Sequence, residues 1–76
     1  MTLGFVLVSA ETGVEAELLK ELKRVDGVKE AHIVYGVYDL IAKVECESME
    51  ELKQTITRYI RGLDHVNGTL TLLVVD

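Results

Sequence analysis

The stretch of this sequence hardest to explain as structure alone is Tyr35-Gly36-Val37-Tyr38-Asp39. The Asp39 carboxylate can accept hydrogen bonds from a small cation such as an amino group. Backbone N–H groups around Gly36 can hold an anion, as in a nest. Together these groups suit a zwitterion. The competing reading is plain turn chemistry, since Gly and Asp are residues that turns select. Tyr38 and Val37 are large for an exposed loop tip, which points to a site completed by another subunit.

The other polar residues offer less. His32 falls on a strand pattern and His65 in a loop, neither with a nucleophile nearby in sequence. Ser9 lies at a strand end and Ser48 at a helix cap. Cys46 is flanked by Glu45 and Glu47, whereas a reactive thiolate needs a neighbouring positive charge, so it reads as a small buried hydrophobe. Glu45, Glu47, Glu50 and Glu51 lack the Asp/Asn-Gly spacing of a calcium loop, and the last two suit the positive end of a helix dipole. The turn Glu11-Thr12-Gly13 has one glycine and no following Lys, so it is not a phosphate loop. Two histidines and one cysteine, far apart, do not make a zinc site. The expectation is a protein with no catalytic residues, no metal and no cofactor.

The elements that must position the turn follow from periodicity. Leu3 to Ser9 is a strand with Leu3, Phe5 and Leu7 on one face and Val6 and Val8 on the other. Thr12 with Glu15 forms a capping box for a helix whose stripe is Val14, Leu18, Leu22 and Val25. Asp26-Gly27 stops it, with Gly27 left-handed. Val28 to Tyr35 and Leu40 to Cys46 form a hairpin around the turn, where Gly36 is free to take positive φ. Ser48 with Glu51 caps a second helix, with Met49, Leu52, Ile56, Tyr59, Ile60 and Leu63 as its stripe. Val66-Asn67-Gly68 leads into a last strand, Thr69 to Val75.

The chain is therefore one strand-helix-strand unit used twice. Right-handed crossovers make this an α+β, ferredoxin-like βαββαβ sandwich: a four-stranded antiparallel sheet with both helices on one face. The bare face of such a sheet is normally polar. Here the first and last strands are apolar on both faces.

Size sharpens that observation. The 76 residues form one domain, 1–76, which hides only roughly 60% of the surface its unfolded chain exposes. Domains below about 80 residues lean on disulfides, metals or partners, and a lone cysteine excludes an internal disulfide. The bare sheet face is thus expected to pack on a second copy as a two-fold homodimer. A net charge of −5, with 13 acidic against 8 basic residues, argues against direct nucleic-acid binding. No apolar run approaches a membrane span, and the start Met1-Thr2-Leu3-Gly4-Phe5 lacks a signal-peptide pattern, so a cytoplasmic location is expected.

The runs Gly27-Val28, Val34-Tyr35-Gly36-Val37-Tyr38-Asp39-Leu40, Met49-Glu50-Glu51-Leu52 and Gly68-Thr69-Leu70-Thr71-Leu72 resemble the effector domain of Lrp/AsnC-family transcriptional regulators. That domain is called the regulation-of-amino-acid-metabolism (RAM) domain, and the likeness spans essentially the whole chain. It implies dimers joined through their sheets, commonly four dimers in a ring, and a free amino acid bound between dimers. Gly36 and Asp39 match the family's Gly-x-x-Asp signature and Tyr38 a frequent aromatic before it, with Asp39 the implied partner of the ammonium. Thr69 and Thr71 are the implied contributors from the last strand of a facing dimer, although the loop Asp64 to Gly68 departs from the family pattern in placing its glycine late. Family regulators carry an N-terminal helix-turn-helix. With its first strand at Leu3, this chain resembles the stand-alone members, which have no DNA-binding domain and can form mixed assemblies with full-length regulators. Two other classes share the element order. ACT-type domains bind amino acids near a glycine placed like Gly13, and small dimeric ferredoxin-like barrels include cofactor-free monooxygenases. A scaffold without ligand completes the alternatives.

Overall fold

The computed structural model describes residues 1–76. Its elements run β1 (Thr2–Ala10), α1 (Glu15–Arg24), β2 (Val28–Ile33), β3 (Leu40–Cys46), α2 (Met49–Gln54) with a π-helical continuation (Thr55–Ile60), and β4 (Val66–Leu73). The sheet order is β2-β3-β1-β4, with every pair antiparallel. This is the ferredoxin-like arrangement, with β1 and β3 central.

Strand alternation builds the core. Val6 and Val8 on β1 pair with Ala42 and Leu40 on β3, and all four are fully buried. Leu18 and Leu22 of α1, and Leu52 and Ile60 of the second helix, close over them. Gly4 eases the close fit: a Cβ there would meet Leu52 Cδ2 at 3.3 Å. Gly27 ends α1 at φ +99, as the Asp26-Gly27 pair implies.

The opposite face is the unusual one. Leu7 lies between Ile41 and Leu70, and Phe5 between Lys43 and Leu72, so the apolar side chains form one patch across three strands. Leu70 and Leu72 are 44% and 51% exposed. Glu30, His32 and Lys43 bound the patch on the β2 side, with Glu30 bridging the other two at 3.3 and 3.7 Å.

Four local expectations are corrected. Thr12 does not cap α1: the helix starts after Val14 with no side-chain cap, and Glu15 Oε1 instead accepts the Gly13 N–H at 3.1 Å. Gly13 takes φ +93, which turns the chain into the helix without a hydroxyl. Gly36 does not adopt positive φ; the six residues between β2 and β3 make a wider loop than a tight turn. β2 accordingly ends at Ile33 rather than Tyr35, and β4 begins at Val66 rather than Thr69. The second helix is not α-helical throughout. The β-branched run Thr55-Ile56-Thr57 loses side-chain freedom in an α-helix, and the Arg61 N–H donates to Ile56 O at 2.9 Å, five residues back. Ser48 does cap this helix, its Oγ accepting the Glu51 N–H at 3.1 Å.

Candidate functional site

Beyond the last ladder pair of the central strands, Val8 with Leu40, backbone pairing stops and Asp39 takes over. Its N–H donates to Val8 O at 2.9 Å, and its carbonyl accepts the Val34 N–H at 2.9 Å. Its carboxylate oxygen Oδ2 accepts the Ala10 N–H at 2.8 Å in a partly buried setting. The carboxylate thus fills a backbone ladder position. The register of β1 against β4 slips at Ser9/Ala10, so this end of β1 is a bulge, a feature common beside functional sites.

One carboxylate oxygen is committed to the fold and the other, Oδ1, has no protein partner. That geometry holds a charge rigidly while leaving it able to accept from a ligand. Tyr38 is half-buried next to it, while Tyr35 is fully exposed and Val37 is 91% exposed. Gly36 is exposed, and a Cβ added there meets nothing within 4 Å. Neither φ nor crowding within one chain calls for glycine at this position.

Gly36, Tyr38 and Asp39 therefore come together in one loop, but the two threonines stand apart from it. Thr69 is opposite Val8 and Thr71 opposite Val6, both on β4. Two strand spacings separate Thr69 from Leu40, roughly 10 Å. Thr69 shares the sheet end of Asp39, whereas Thr71 lies further along, in a cleft with Lys53, Thr57 and Arg61. None of the five main clefts of the single chain joins the loop to either threonine.

His65 was read from the sequence as a surface loop residue and is more than that. The Glu11 N–H donates to His65 O at 3.0 Å, and His65 Nδ1 lies 2.9 Å from Glu11 Oε2. This double link ties the β1–α1 loop to the start of β4, one residue from the Ala10 N–H that Asp39 holds. It is formed with His65 at φ 73, a left-handed conformation rare for a side-chain-bearing residue. The hydrogen bond to Glu11 raises the His65 pKa above 6.5, with the charges of Glu11, Asp64 and Glu17 adding to it. The pairing is invisible in sequence because the partners are 54 residues apart. On the bare sheet face, the hydrogen bond to His32 and then the charge of Lys43 lower the Glu30 pKa below 4.5. Cys46 is buried, its Sγ 3.7 Å from Thr55 Oγ1.

Comparison with known proteins gives the chain a family. A family model described as the Lrp/AsnC ligand binding domain matches residues 3–76. An uncharacterized HTH-type transcriptional regulator of Pyrococcus horikoshii is 29% identical over 75 residues, covering 95% of this chain and 50% of that protein. The chain spans about half the length of the regulators it matches. A homocitrate synthase of Sulfurisphaera tokodaii is 37% identical over 73 residues, covering 95% of this chain but 16% of the enzyme. Among solved structures, FFRP-DM1 superposes with a TM-score of 0.93 at 39% identity, over 99% of this chain and 100% of that one. AsnC of E. coli superposes at 0.91 with 26% identity, over 99% of this chain and 51% of that one.

Proposed function

The chain belongs to the Lrp/AsnC ligand-binding domain family, and on that premise we propose that it is an amino-acid-sensing regulatory module rather than an enzyme. The observation that carries the reading is the state of Asp39: fixed through Oδ2 to the Ala10 N–H, with Oδ1 unpartnered beside an open Gly36. A free amino acid presents its ammonium to Asp39, and its carboxylate lies against the backbone N–H groups around Gly36. Tyr38 covers one side.

In this reading the site is completed by assembly. The apolar patch of Phe5, Leu7, Ile41, Leu70 and Leu72 packs on its copy to form a two-fold dimer. Dimers then meet through their hairpin loops, which expose Tyr35 and Val37. Thr69 and Thr71 of a facing dimer supply hydroxyls to the ligand, and four dimers close the ring. The module acts in the cytoplasm and modulates full-length regulators by joining them in mixed assemblies. Its match to a small part of a synthase is consistent with a sensing unit that serves different host proteins.

The test is a thermal-shift screen against the twenty amino acids, paired with sedimentation in the presence and absence of any hit. A binder stabilises by RT ln(1 + [L]/Kd), about 2.7 kcal/mol at a hundredfold excess over Kd. One or a few amino acids should raise Tm and shift the assembly state together. A flat response to all twenty at millimolar concentration rejects sensing, and a stable monomer at micromolar concentration rejects the shared site.

A further inference from the structure

Between the second helix and the edge strand β4 lies an open cleft of about 300 Å³, lined by Lys53, Ile56, Thr57, Arg61, Thr71 and Leu73. That volume is at the low end for small-molecule sites. Four of the six side chains are hydrogen-bond donors, and none is a carboxylate. Neither Lys53 nor Arg61 forms an ion pair; the three pairs in the molecule are Glu30 with His32, Glu30 with Lys43, and Glu11 with His65. Of the eight Lys and Arg only Lys43 is ion-paired, so free cations are common here; what sets this cleft apart is that two of them line it with no carboxylate, whereas the other main clefts each include an acid. The end of a helix gives Arg61 a structural reason to be basic. Lys53 stands in the last turn of α2, at the junction with the π-helical continuation.

We propose that this cleft binds a small organic monocarboxylate with a short aliphatic tail. The Arg61 guanidinium can take both carboxylate oxygens in its planar fork, and Lys53 adds a second charge. The Thr57 hydroxyl adds a further donor, and Thr71 borders the cleft on the strand side. Buried Ile56 and partly exposed Leu73 form an apolar floor for the tail. No acid lines the cleft to receive an ammonium, so its ligand is an anion and not the zwitterion assigned to the hairpin loop. The inference does not rest on that assignment. The sequence signal is the spacing of Lys53, Thr57 and Arg61, every fourth residue along one flank of the helix.

The test is calorimetric titration of the full chain with isovalerate at constant ionic strength, with amide chemical-shift mapping by NMR. Isoamylammonium (the same carbon skeleton with opposite charge) and inorganic phosphate serve as comparison ligands. Isovalerate is expected to bind saturably, with shifts centred on Lys53, Thr57, Arg61 and Thr71. Lys53→Met and Arg61→Met should each weaken it roughly tenfold or more, the loss typical of a charge-assisted hydrogen bond. Arg61→Lys keeps the charge without the fork and should fall between. Lys23→Met removes an equal charge from α1, outside the cleft, and should change nothing. All three positions are exposed, so circular dichroism should show each variant folded. Equal binding of isoamylammonium, unchanged affinity in the Lys53 and Arg61 variants, or shifts centred elsewhere would each overturn the proposal. Tighter binding of phosphate than of isovalerate would overturn the carboxylate assignment.

Discussion

Replacing Asp39 in two ways separates its two roles. Asp39→Ala removes the acceptor of the Ala10 N–H and leaves that donor partly buried without a partner. The cost of such a loss is about 1–3 kcal/mol. For a domain of this size that lowers Tm by roughly 5–20 °C, at about 4–8 °C per kcal/mol. Asp39→Asn is different: its amide oxygen can still accept from Ala10, so most of the stability should survive, within about 1 kcal/mol of the parent. The charge is gone in both variants. An ammonium bound to Oδ1 loses a charge-assisted bond worth about 1.5–3 kcal/mol, which weakens the amino acid roughly 10- to 150-fold. The assay is chemical denaturation of both variants, alongside calorimetry with whichever amino acid the screen identifies. The expected pattern is a stable Asn variant and an unstable Ala variant, with both deficient in binding. An Asn variant that binds as tightly as the parent refutes the ammonium contact. Equal stability of the two variants refutes the structural role of Oδ2.

Three further outcomes follow from other parts of the molecule. Leu72 is about half exposed on the bare sheet face, so dimerisation has roughly 1 kcal/mol per copy left to gain there; Leu72→Ala should weaken the dimer about 30-fold in sedimentation equilibrium while leaving the monomer's circular dichroism unchanged. His65 has a raised pKa in the folded state, so its contribution is complete below pH 6.5 and is lost as pH rises through the folded value. Unfolding midpoints should therefore fall between pH 6 and pH 8 in the parent but stay flatter in His65→Asn, which tolerates the left-handed backbone without titrating; identical profiles would show that the Glu11 link adds nothing. The Glu30 pKa is lowered, and its contribution disappears in a separate window, as pH falls below 4.5. Ser48→Ala should destabilise by about 1 kcal/mol and Thr12→Ala by nearly nothing, because only the first hydroxyl caps a helix; equal losses in urea titrations would contradict that difference.

Much of the fold is legible because it is written in short-range pattern. Leu40 to Cys46 reads as a strand and is one, since strict alternation over a central position leaves no other way to bury Leu40, Ala42 and Val44. The apolar second face reads directly from Leu3, Phe5, Leu7, Leu70 and Leu72, because a period of two assigns each residue to a side. The helix ends divide instructively. Ser48 has its Glu51 N–H three residues on, and geometry and motif agree. Thr12 has the same motif but a left-handed Gly13 beside it, which redirects the chain before the hydroxyl can reach the helix. The π-helical turn has a sequence correlate in Thr55-Ile56-Thr57, yet β-branched residues occur in ordinary helices too. Their presence permits the wider turn without requiring it.

Composition, periodicity and one motif thus determined the element order, the layer arrangement, the surplus apolar face and the loop to inspect. These depend on neighbours in sequence, where side-chain spacing and backbone preference act. Only the tertiary structure decided how Asp39 is held, that Thr69 and Thr71 stand apart from it, that His65 is tied to Glu11, and that Lys53 and Arg61 share a cleft with Thr71. Each of these joins residues that are distant in the chain. Their meeting is set by the register of β4 on β1 and the seating of the second helix, which local pattern does not encode.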